Sequence, residues 1–209
     1  MLDRPIVIAT RNEGKIREFR ELLKDFDVEF RSLNEFGPIP DVLEDASTFE
    51  ENAYKKASQT ARMLGLPALA DDSGLEVEAL GGDPGVRSAR YAGEGASDGE
   101  NNRKLLAAME GEANRKAAFV CVISLAVPRG PALTYEGACE GVIAREPAGD
   151  SGFGYDPVFF YPPLGKTFAQ LTREAKNSVS HRGRAMTELK GEFAKVLLWL
   201  EQRMAEEPY

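Results

Sequence analysis

The spacing of hydrophobic residues changes along the chain between that typical of a strand and that typical of a helix, and each change marks an element of secondary structure. PIVIAT, residues 5–10, predicts a buried first strand, and the apolar residues after it recur at helical spacing behind Asn12, which stands at an N-cap position. Helical spacing returns behind Ser47 and behind Ser97, each of which is followed three residues later by a glutamate, the capping-box pattern. A long final helix is predicted behind Ser180.

Strand-like alternation dominates the middle of the chain. KAAFVCVISLAV and ALTYEGACEGVIA flank PRGP and predict a long antiparallel hairpin. PALAD and GLEVEAL predict two short strands on either side of DDSG, residues 71–74. Since helices and strands alternate early and the hairpin comes late, we expect an α/β fold with a mixed β-sheet and flanking helices. We expect one domain, residues 1–209, with two lobes around a central cleft.

Composition and charge narrow the class of protein. Hydrophobic residues make up 43% and charged residues 29% of the chain, which is ordinary globular composition, and no apolar run approaches the roughly 18 residues of a membrane span. We therefore expect a cytoplasmic protein with no membrane partner. The net charge of −8 argues against nucleic acid as a partner, so a bound anion would need a local basic pocket. A single histidine, His181, excludes a multi-histidine zinc site, and the two cysteines, outside any C-x-x-C pair, predict buried thiols.

The first strand-to-helix junction is TRNEGK, residues 10–15. Free backbone N–H groups and the positive end of a helix dipole suit a phosphate, and Lys15 adds a positive charge. The segment is not a Walker loop, because the first glycine and the hydroxyl residue after the lysine are missing. An ordinary capped helix start explains the same residues, so both interpretations stay open.

Two adjacent aspartates, Asp71 and Asp72, follow an apolar run in ALADDSG. Asp-Asp-Ser-Gly suits a solvated turn, but a cation such as Mg²⁺ would also neutralise the pair. Strand side chains face alternate ways, so the two aspartates should not share one role, and spacing does not say which one faces a site. Glu44, in a loop before a helix, is the acid freest to reach the same cation, and Lys56 lies past the first turn of that helix.

Two segments in the second half of the chain could bind a flat, polar ligand. In GDSGFGYDPVFF, Phe153 or Tyr155 could stack on a ring, although a glycine-rich turn with core aromatics explains the same residues. In TREAKNSVSHRG, the hydrogen-bond donors Lys176, His181 and Arg182 surround a helix start. The alternative is a solvated basic helix end, but cations are normally favoured at the opposite end of a helix.

Taken together, five segments in order give the chain a recognisable signature. They are ATRNEGKIREF, TFEENAYKKA, ALADDSGLEVEALGGDPGVRSARYAG, GFGYDPVFF and GKTFAQLTREAKNSVSHRG, and they are spread along the chain from about Ile8 to about Arg184. With them the chain resembles the non-canonical purine nucleoside triphosphate pyrophosphatases, the inosine/xanthosine triphosphate pyrophosphatase family. Two departures are Arg11 and Glu13, which fill variable positions of the first loop, and the side chain of Glu13 should point outward.

The resemblance implies an elongated two-lobed fold, a homodimer, and Mg²⁺-dependent hydrolysis of ITP, dITP or XTP to the monophosphate and pyrophosphate, which clears deaminated purines from the nucleotide pool. It implies that Asp72 accepts the proton of the attacking water and, with Glu44, binds the metal. The remaining residues would bind substrate: Thr10, Arg11, Asn12, Glu13, Gly14 and Lys15 at the phosphates, Lys56 at the triphosphate, Ser73 at an unspecified contact, Phe153, Gly154, Tyr155 and Asp156 at the base and sugar, and Lys176, His181 and Arg182 at the base.

Two rival functions remain. The same phosphate-binding residues could serve a pyrophosphatase of pyrimidine or other modified triphosphates, or a nucleotide-binding protein without catalysis. Magnesium-dependent release of pyrophosphate would exclude the second rival, and a substrate panel would separate the first.

Overall fold

A computed structural model describes residues 3–205 of the chain. These residues form two compact units. Unit 1 comprises the described residues up to Asp72, together with Val122–Glu136 and the described residues from Ala185 onward. Unit 2 comprises Ser73–Cys121 and Gly137–Arg184.

Seven strands and five α-helices, together with short 3₁₀ helices, make up the regular structure of the described residues. The strands are β1 (Ile6–Ile8), β2 (Phe30–Ser32), β3 (Ala68–Val77), β4 (Lys116–Ala126), β5 (Ala132–Ile143), β6 (Phe159–Tyr161) and β7 (Lys166–Thr167). The helices are α1 (Glu13–Leu23), α2 (Phe49–Leu64), α3 (Asp98–Ala108), α4 (Arg173–Val179) and α5 (His181–Ala205).

The strands form one mixed sheet in the order β2-β1-β3-β4-β5-β6-β7. β1 is parallel to β2 and to β3, whereas β5, β6 and β7 pair antiparallel, with Val142 opposite Phe160 and Phe160 opposite Thr167. β4 and β5 are adjacent in the sheet and are joined by the short segment 127–131. Parallel neighbours need a crossover of a dozen or more residues, so a connection this short makes the two strands a hairpin. The predicted α/β class, the mixed sheet and the hairpin are therefore confirmed.

Around α2, the core of unit 1 consists of small and aliphatic side chains. α2 contributes Ala53, Ala57 and Ala61, all fully buried, and the absence of bulk on this face lets the helix lie close to its neighbours. The core around α2 consists of Val7, Ala9, Leu33, Ala57, Ala61, Ala68, Ala70 and Ala126.

The helix ends of unit 1 follow the predicted chemistry with one exception. α2 ends at Gly65, whose φ of 64° is the left-handed conformation that favours glycine. Its N-cap is Thr48, whose hydroxyl accepts from the Glu51 amide, so the predicted cap at Ser47 is wrong by one residue. Both residues carry a hydroxyl with an acid three positions later, which is why local sequence does not separate them.

The prediction of two short strands around residues 71–74 is also wrong. β3 runs without interruption from Ala68 to Val77, through both aspartates. The reason is tertiary: Asp71 and Asp72 are each neutralised by a lysine from another element, so they do not need the solvent that a turn would provide.

Unit 2 has an aromatic core. Phe159 and Phe168 lie at its centre, with ring centroids 4.8 Å apart. α3 begins at the predicted capping box of Ser97 and Glu100, and α4 begins behind Thr172, whose hydroxyl accepts from the Ala175 amide. At the start of α5 the Gly183 amide donates to the Ser180 hydroxyl at 3.1 Å, as predicted. Among residues 3–205, no helix is long and apolar enough to cross a membrane.

Candidate active site

The start of α1, in unit 1, is the predicted phosphate loop. The Asn12 side chain accepts from the amides of Gly14 at 2.9 Å and Lys15 at 3.1 Å, and the Thr10 hydroxyl accepts from the Asn12 amide at 3.2 Å. Asn12 is therefore a genuine N-cap. The loop is ordered by its own side chains at the positive end of a helix.

Lys15 reaches from this loop to β3. Its ammonium lies 3.1 Å from Oδ2 of Asp71, whose side chain is fully buried. A buried carboxylate is costly unless a cation neutralises it, so this pair fixes the first turn of α1 against the strand. Asp71 is accounted for as a partner of Lys15.

Asp72 points to the other face of β3 and contacts two side chains, one of which also pairs with Glu44. The Lys56 ammonium donates to Oδ1 at 2.9 Å, and the Asn52 amide donates to Oδ2 at 3.2 Å. Glu44 joins this group through Lys56, at 3.2 Å. Asp71 and Asp72 thus have different partners, as strand alternation predicts.

Burial shapes the proton affinities in this cluster. Removal from water raises the pKa of Asp72, against the opposing charges of Lys56 and Lys15. Burial lowers the pKa of Lys56, but the carboxylates of Asp72 and Glu44 outweigh it and leave the pKa raised, so the ammonium stays charged. The cluster therefore joins a carboxylate of increased basicity to a permanent cation.

The donor set is compatible with magnesium. No group of three or more Asp, Glu, His or Cys side chains suited to a metal occurs among residues 3–205. Glu44 and Asp72, however, converge on one cation, the Lys56 ammonium. Mg²⁺ typically takes only one or two carboxylates and completes its shell with water and substrate phosphates, so this pair is a sufficient protein contribution.

The GFGYD segment, in unit 2, folds around Asp156. This carboxylate, 2% exposed, accepts from the Phe153 amide at 2.9 Å and from the Lys176 ammonium at 2.6 Å. Gly152 has a φ of 81°, and a Cβ there would lie 2.0 Å from Asp156 Oδ2, so only glycine fits. Phe153 remains partly exposed, which leaves its ring available to a ligand.

The three predicted donors of the basic segment are also in unit 2, and all are buried. The Arg182 side chain, 1% exposed, donates to the Ser73 hydroxyl at 3.0 Å, and the His181 ring stacks on Phe119 with centroids 4.7 Å apart. Lys176 and Arg182 lie 4.6 and 5.9 Å from the Phe153 ring centroid. The alternative of a solvated basic helix end is therefore wrong.

Arg11 and Glu13, which the resemblance places at the phosphates, direct their side chains toward residues 34–41 instead. Arg11 donates to the Asp41 carboxylate at 3.0 Å and to the Ile39 carbonyl at 2.8 Å, and Glu13, which is exposed, accepts from Asn34 at 2.9 Å. These side chains hold the loop that leads to Glu44. A phosphate contact from either residue would have to come from its backbone.

Sequence reasoning missed Asn52. It is 1% exposed and holds Asp72, and its side-chain oxygen also accepts from the Ala46 amide at 3.1 Å. The available signal was the spacing of Asn52 and Lys56, four residues apart on the alanine-rich buried face of α2.

The chain combines a mixed α/β fold with two aspartates neutralised by lysines in unit 1 and with buried cationic side chains around an aromatic loop in unit 2. It belongs to the Ham1 family, whose model matches residues 6–192. Its curated relatives include dITP/XTP pyrophosphatases. That of Syntrophobacter fumaroxidans is 65% identical over 97% of this chain and 87% of its own length, and that of Desulfotalea psychrophila is 60% identical over 97% and 91%. Among solved structures, a HAM1 protein from Coxiella burnetii is 45% identical, with a TM-score of 0.85 over 92% of this chain and 99% of that one.

Proposed function

We propose that this protein hydrolyses non-canonical purine nucleoside triphosphates, namely ITP, dITP and XTP, to the monophosphate and pyrophosphate in the presence of Mg²⁺. The observation that carries the proposal is the Asp72 carboxylate, buried, basic and held by Lys56 and Asn52 within unit 1. The names of the relatives supply the substrate class, because they denote dITP/XTP pyrophosphatases.

The triphosphate would bind at the start of α1 and at Lys56. Phosphoryl transfer depends on positioning and on neutralising charge more than on covalent chemistry. The capped first turn of α1 offers a helix N-terminus, and Lys15 and Lys56 offer two ammonium groups. Both lysines are neutralised by aspartates in the free protein, so their net attraction for phosphate grows once a second cation shares the carboxylates.

Glu44 and Asp72 would hold the magnesium ion. When bound, Mg²⁺ supplies positive charge at the phosphate oxygens and makes a nearby water more acidic. Asp72 would accept the proton of the attacking water, and burial suits it for this role because it raises the pKa of the carboxyl. Asn52 would keep one oxygen of Asp72 oriented, and Lys56 would neutralise the departing pyrophosphate.

The buried donors of unit 2 would recognise the base. Lys176, His181 and Arg182 can donate to the 6-carbonyl of hypoxanthine or xanthine, whereas adenine presents a donor there. A site built from buried donors rejects a ligand that leaves them unpaired, by a factor that can reach about 10⁴. Phe153 would stack on the ring, and Ser73, Gly154, Tyr155 and Asp156 would complete the contacts to the base and sugar.

A panel of triphosphates tests the proposal. We expect ITP, dITP and XTP to release pyrophosphate with Mg²⁺ and to release no orthophosphate, while ATP and the pyrimidine triphosphates react at least about a hundredfold more slowly. GTP shares the 6-carbonyl, so its exclusion must involve the 2-amino group, and equal kcat/KM for GTP and ITP would contradict the proposal. Fast cleavage of a pyrimidine triphosphate would favour the first rival function. Binding of ITP without cleavage at any Mg²⁺ concentration would favour the non-catalytic one.

We further propose that the protein is a cytoplasmic homodimer and that units 1 and 2 of each chain function together as one domain. Its relatives' substrate class belongs to the nucleotide pool, which supports that compartment. Light scattering coupled to size exclusion would measure the mass, and a mass equal to one chain would contradict the dimer.

A further inference from the structure

The third helix holds one residue of the GFGYD loop by both of its backbone polar groups. The Gly154 amide donates to the Asp98 carboxylate at 2.7 Å, and the Asn102 amide group donates to the Gly154 carbonyl at 3.0 Å. Asp98 and Asn102 are four residues apart on α3 and so lie on the same face of the helix. We call these two side chains and Gly154 the α3 clamp, which lies wholly within unit 2.

The clamp acts on the centre of a loop that has no strand pairing of its own. Residues 152–157 form turns, and Gly154 has a φ of 61°. The rest of the loop is also held by side chains: the Tyr155 hydroxyl donates to the Ser88 carbonyl at 2.8 Å, and Asp156 pairs with Lys176. Without a sheet ladder, these side-chain contacts position the loop together with a few backbone hydrogen bonds, such as that from the Ala169 amide to the Asp156 carbonyl at 3.1 Å.

The choice of asparagine at position 102 needs an explanation, which the clamp supplies. Asn102 is 7% exposed, and its side-chain oxygen is buried without a hydrogen-bond partner among residues 3–205. An unmatched buried acceptor is unfavourable, and an apolar side chain would avoid it. The amide is therefore useful at this position for its donor, which binds Gly154.

We propose that Asp98 and Asn102 are positioning residues for substrate recognition, acting through Gly154 on Phe153, Tyr155 and Asp156. This inference rests on the proposed function. Asp98 and Asn102 belong to unit 2, whereas Asp72 and its partners belong to unit 1, so the clamp should govern binding and base selectivity and leave the chemical step intact. Loss of the clamp should raise KM with kcat nearly unchanged, the pattern of uniform binding.

Three variants and a neighbouring control test the clamp. Asn102→Asp keeps size but replaces the donor to Gly154 with an acceptor, and we expect a rise in KM for ITP of about tenfold with kcat within about twofold. Asp98→Ala should act in the same direction, and Asp98→Asn, which keeps an acceptor, should restore most of the affinity. Asn101→Ala is the control, because Asn101 is equally buried on α3 but binds the Ala89 carbonyl and the Ala92 amide. It should lower the melting temperature while KM stays within about twofold.

Hydrogen exchange of the Gly154 amide, measured without nucleotide, tests the contact independently of activity. We expect protection in the wild type and exchange about tenfold faster in Asp98→Ala. Unchanged KM in both Asn102→Asp and Asp98→Ala, or an equal rise in KM in Asn101→Ala, overturns the positioning role. If the wild type cleaves no triphosphate while Gly154 is protected, the proposed function fails and the positioning role fails with it. If the wild type cleaves ITP normally and KM is unchanged in the clamp variants, only the positioning role fails.

Discussion

The Lys56 ammonium lies 2.9 Å from Oδ1 of Asp72 and 3.2 Å from Oε1 of Glu44, so one side chain of α2 joins the two carboxylates that we propose as metal ligands. The Lys56 side chain is 11% exposed and that of Asp72 is 7% exposed. The lysine therefore occupies the position of a counterion in the free protein. Its loss should change both the stability of the fold and its response to a divalent cation.

Lys56→Gln removes that counterion from a buried carboxylate. Breaking a buried ion pair by removing one partner typically costs about 3–5 kcal/mol, so we expect a lower melting temperature, together with a larger rise on adding Mg²⁺ than in the wild type. Differential scanning fluorimetry with and without MgCl₂ measures both effects, and turnover of ITP should also fall.

Lys55→Gln is the matched control for this experiment. Lys55 is the neighbouring residue on α2, and it pairs with the exposed Asp45, an arrangement that contributes little to stability because solvent screens it. Its melting temperature should stay near that of the wild type. If both variants respond equally to Mg²⁺, Lys56 is not the counterion of the metal ligands.

Asp72→Asn keeps the shape of the side chain but removes its charge and its basicity. The proposed mechanism needs this carboxylate both for the metal and for the proton of water, so turnover of ITP should fall by at least about a hundredfold. Circular dichroism should show a folded protein, and pyrophosphate release under saturating ITP and Mg²⁺ is the measurement. Near wild-type turnover in the folded variant would refute the role of Asp72.

Local sequence predicts those parts of this molecule that local interactions decide. Asn12 caps α1 and Ser97 with Glu100 opens α3, because a cap depends only on the next three residues. The continuous β3 was mispredicted because turn chemistry at Asp71 and Asp72 is a local signal, whereas the lysines that cancel it are distant in sequence.

The candidate site shows the same difference between features that local sequence decides and features that depend on tertiary contacts. The cationic and acidic residue types are visible in the sequence, but their pairing is not. Spacing alone does not decide whether Asp71 or Asp72 faces the site, and only the resemblance to a family selected Asp72. Asn52 and Asn102 were missed because an asparagine inside a helix does not itself indicate a tertiary partner, and for Asn52 the only signal was its spacing with Lys56.

The two cysteines should be unreactive in the folded protein. Both are fully buried, and burial raises the pKa of the Cys139 thiol to about 11, from an ordinary value near 9. Because the folded-state pKa is raised, the associated stability is present below about pH 9 and is lost as the pH rises through about 11. At pH 8 we expect negligible alkylation by iodoacetamide in buffer and labelling of both thiols in urea. Rapid labelling of the native protein at pH 8 would contradict the burial of these side chains.

Arg182→Lys tests whether the guanidinium contributes geometry as well as charge to base recognition. Arg182 is 1% exposed and donates to the Ser73 hydroxyl, and lysine keeps the positive charge but loses the planar fork of donors. We expect kcat/KM for ITP to fall by about ten- to a hundredfold while the low value for ATP hardly changes, so that selectivity between the two falls by the same factor. Arg184→Lys is the control, since Arg184 is exposed and donates to the Ala138 carbonyl, and its selectivity should match the wild type. An equal loss for ITP and ATP in Arg182→Lys would mean that the arginine binds a part of the nucleotide common to both, and the 6-carbonyl would then be recognised by the other donors alone.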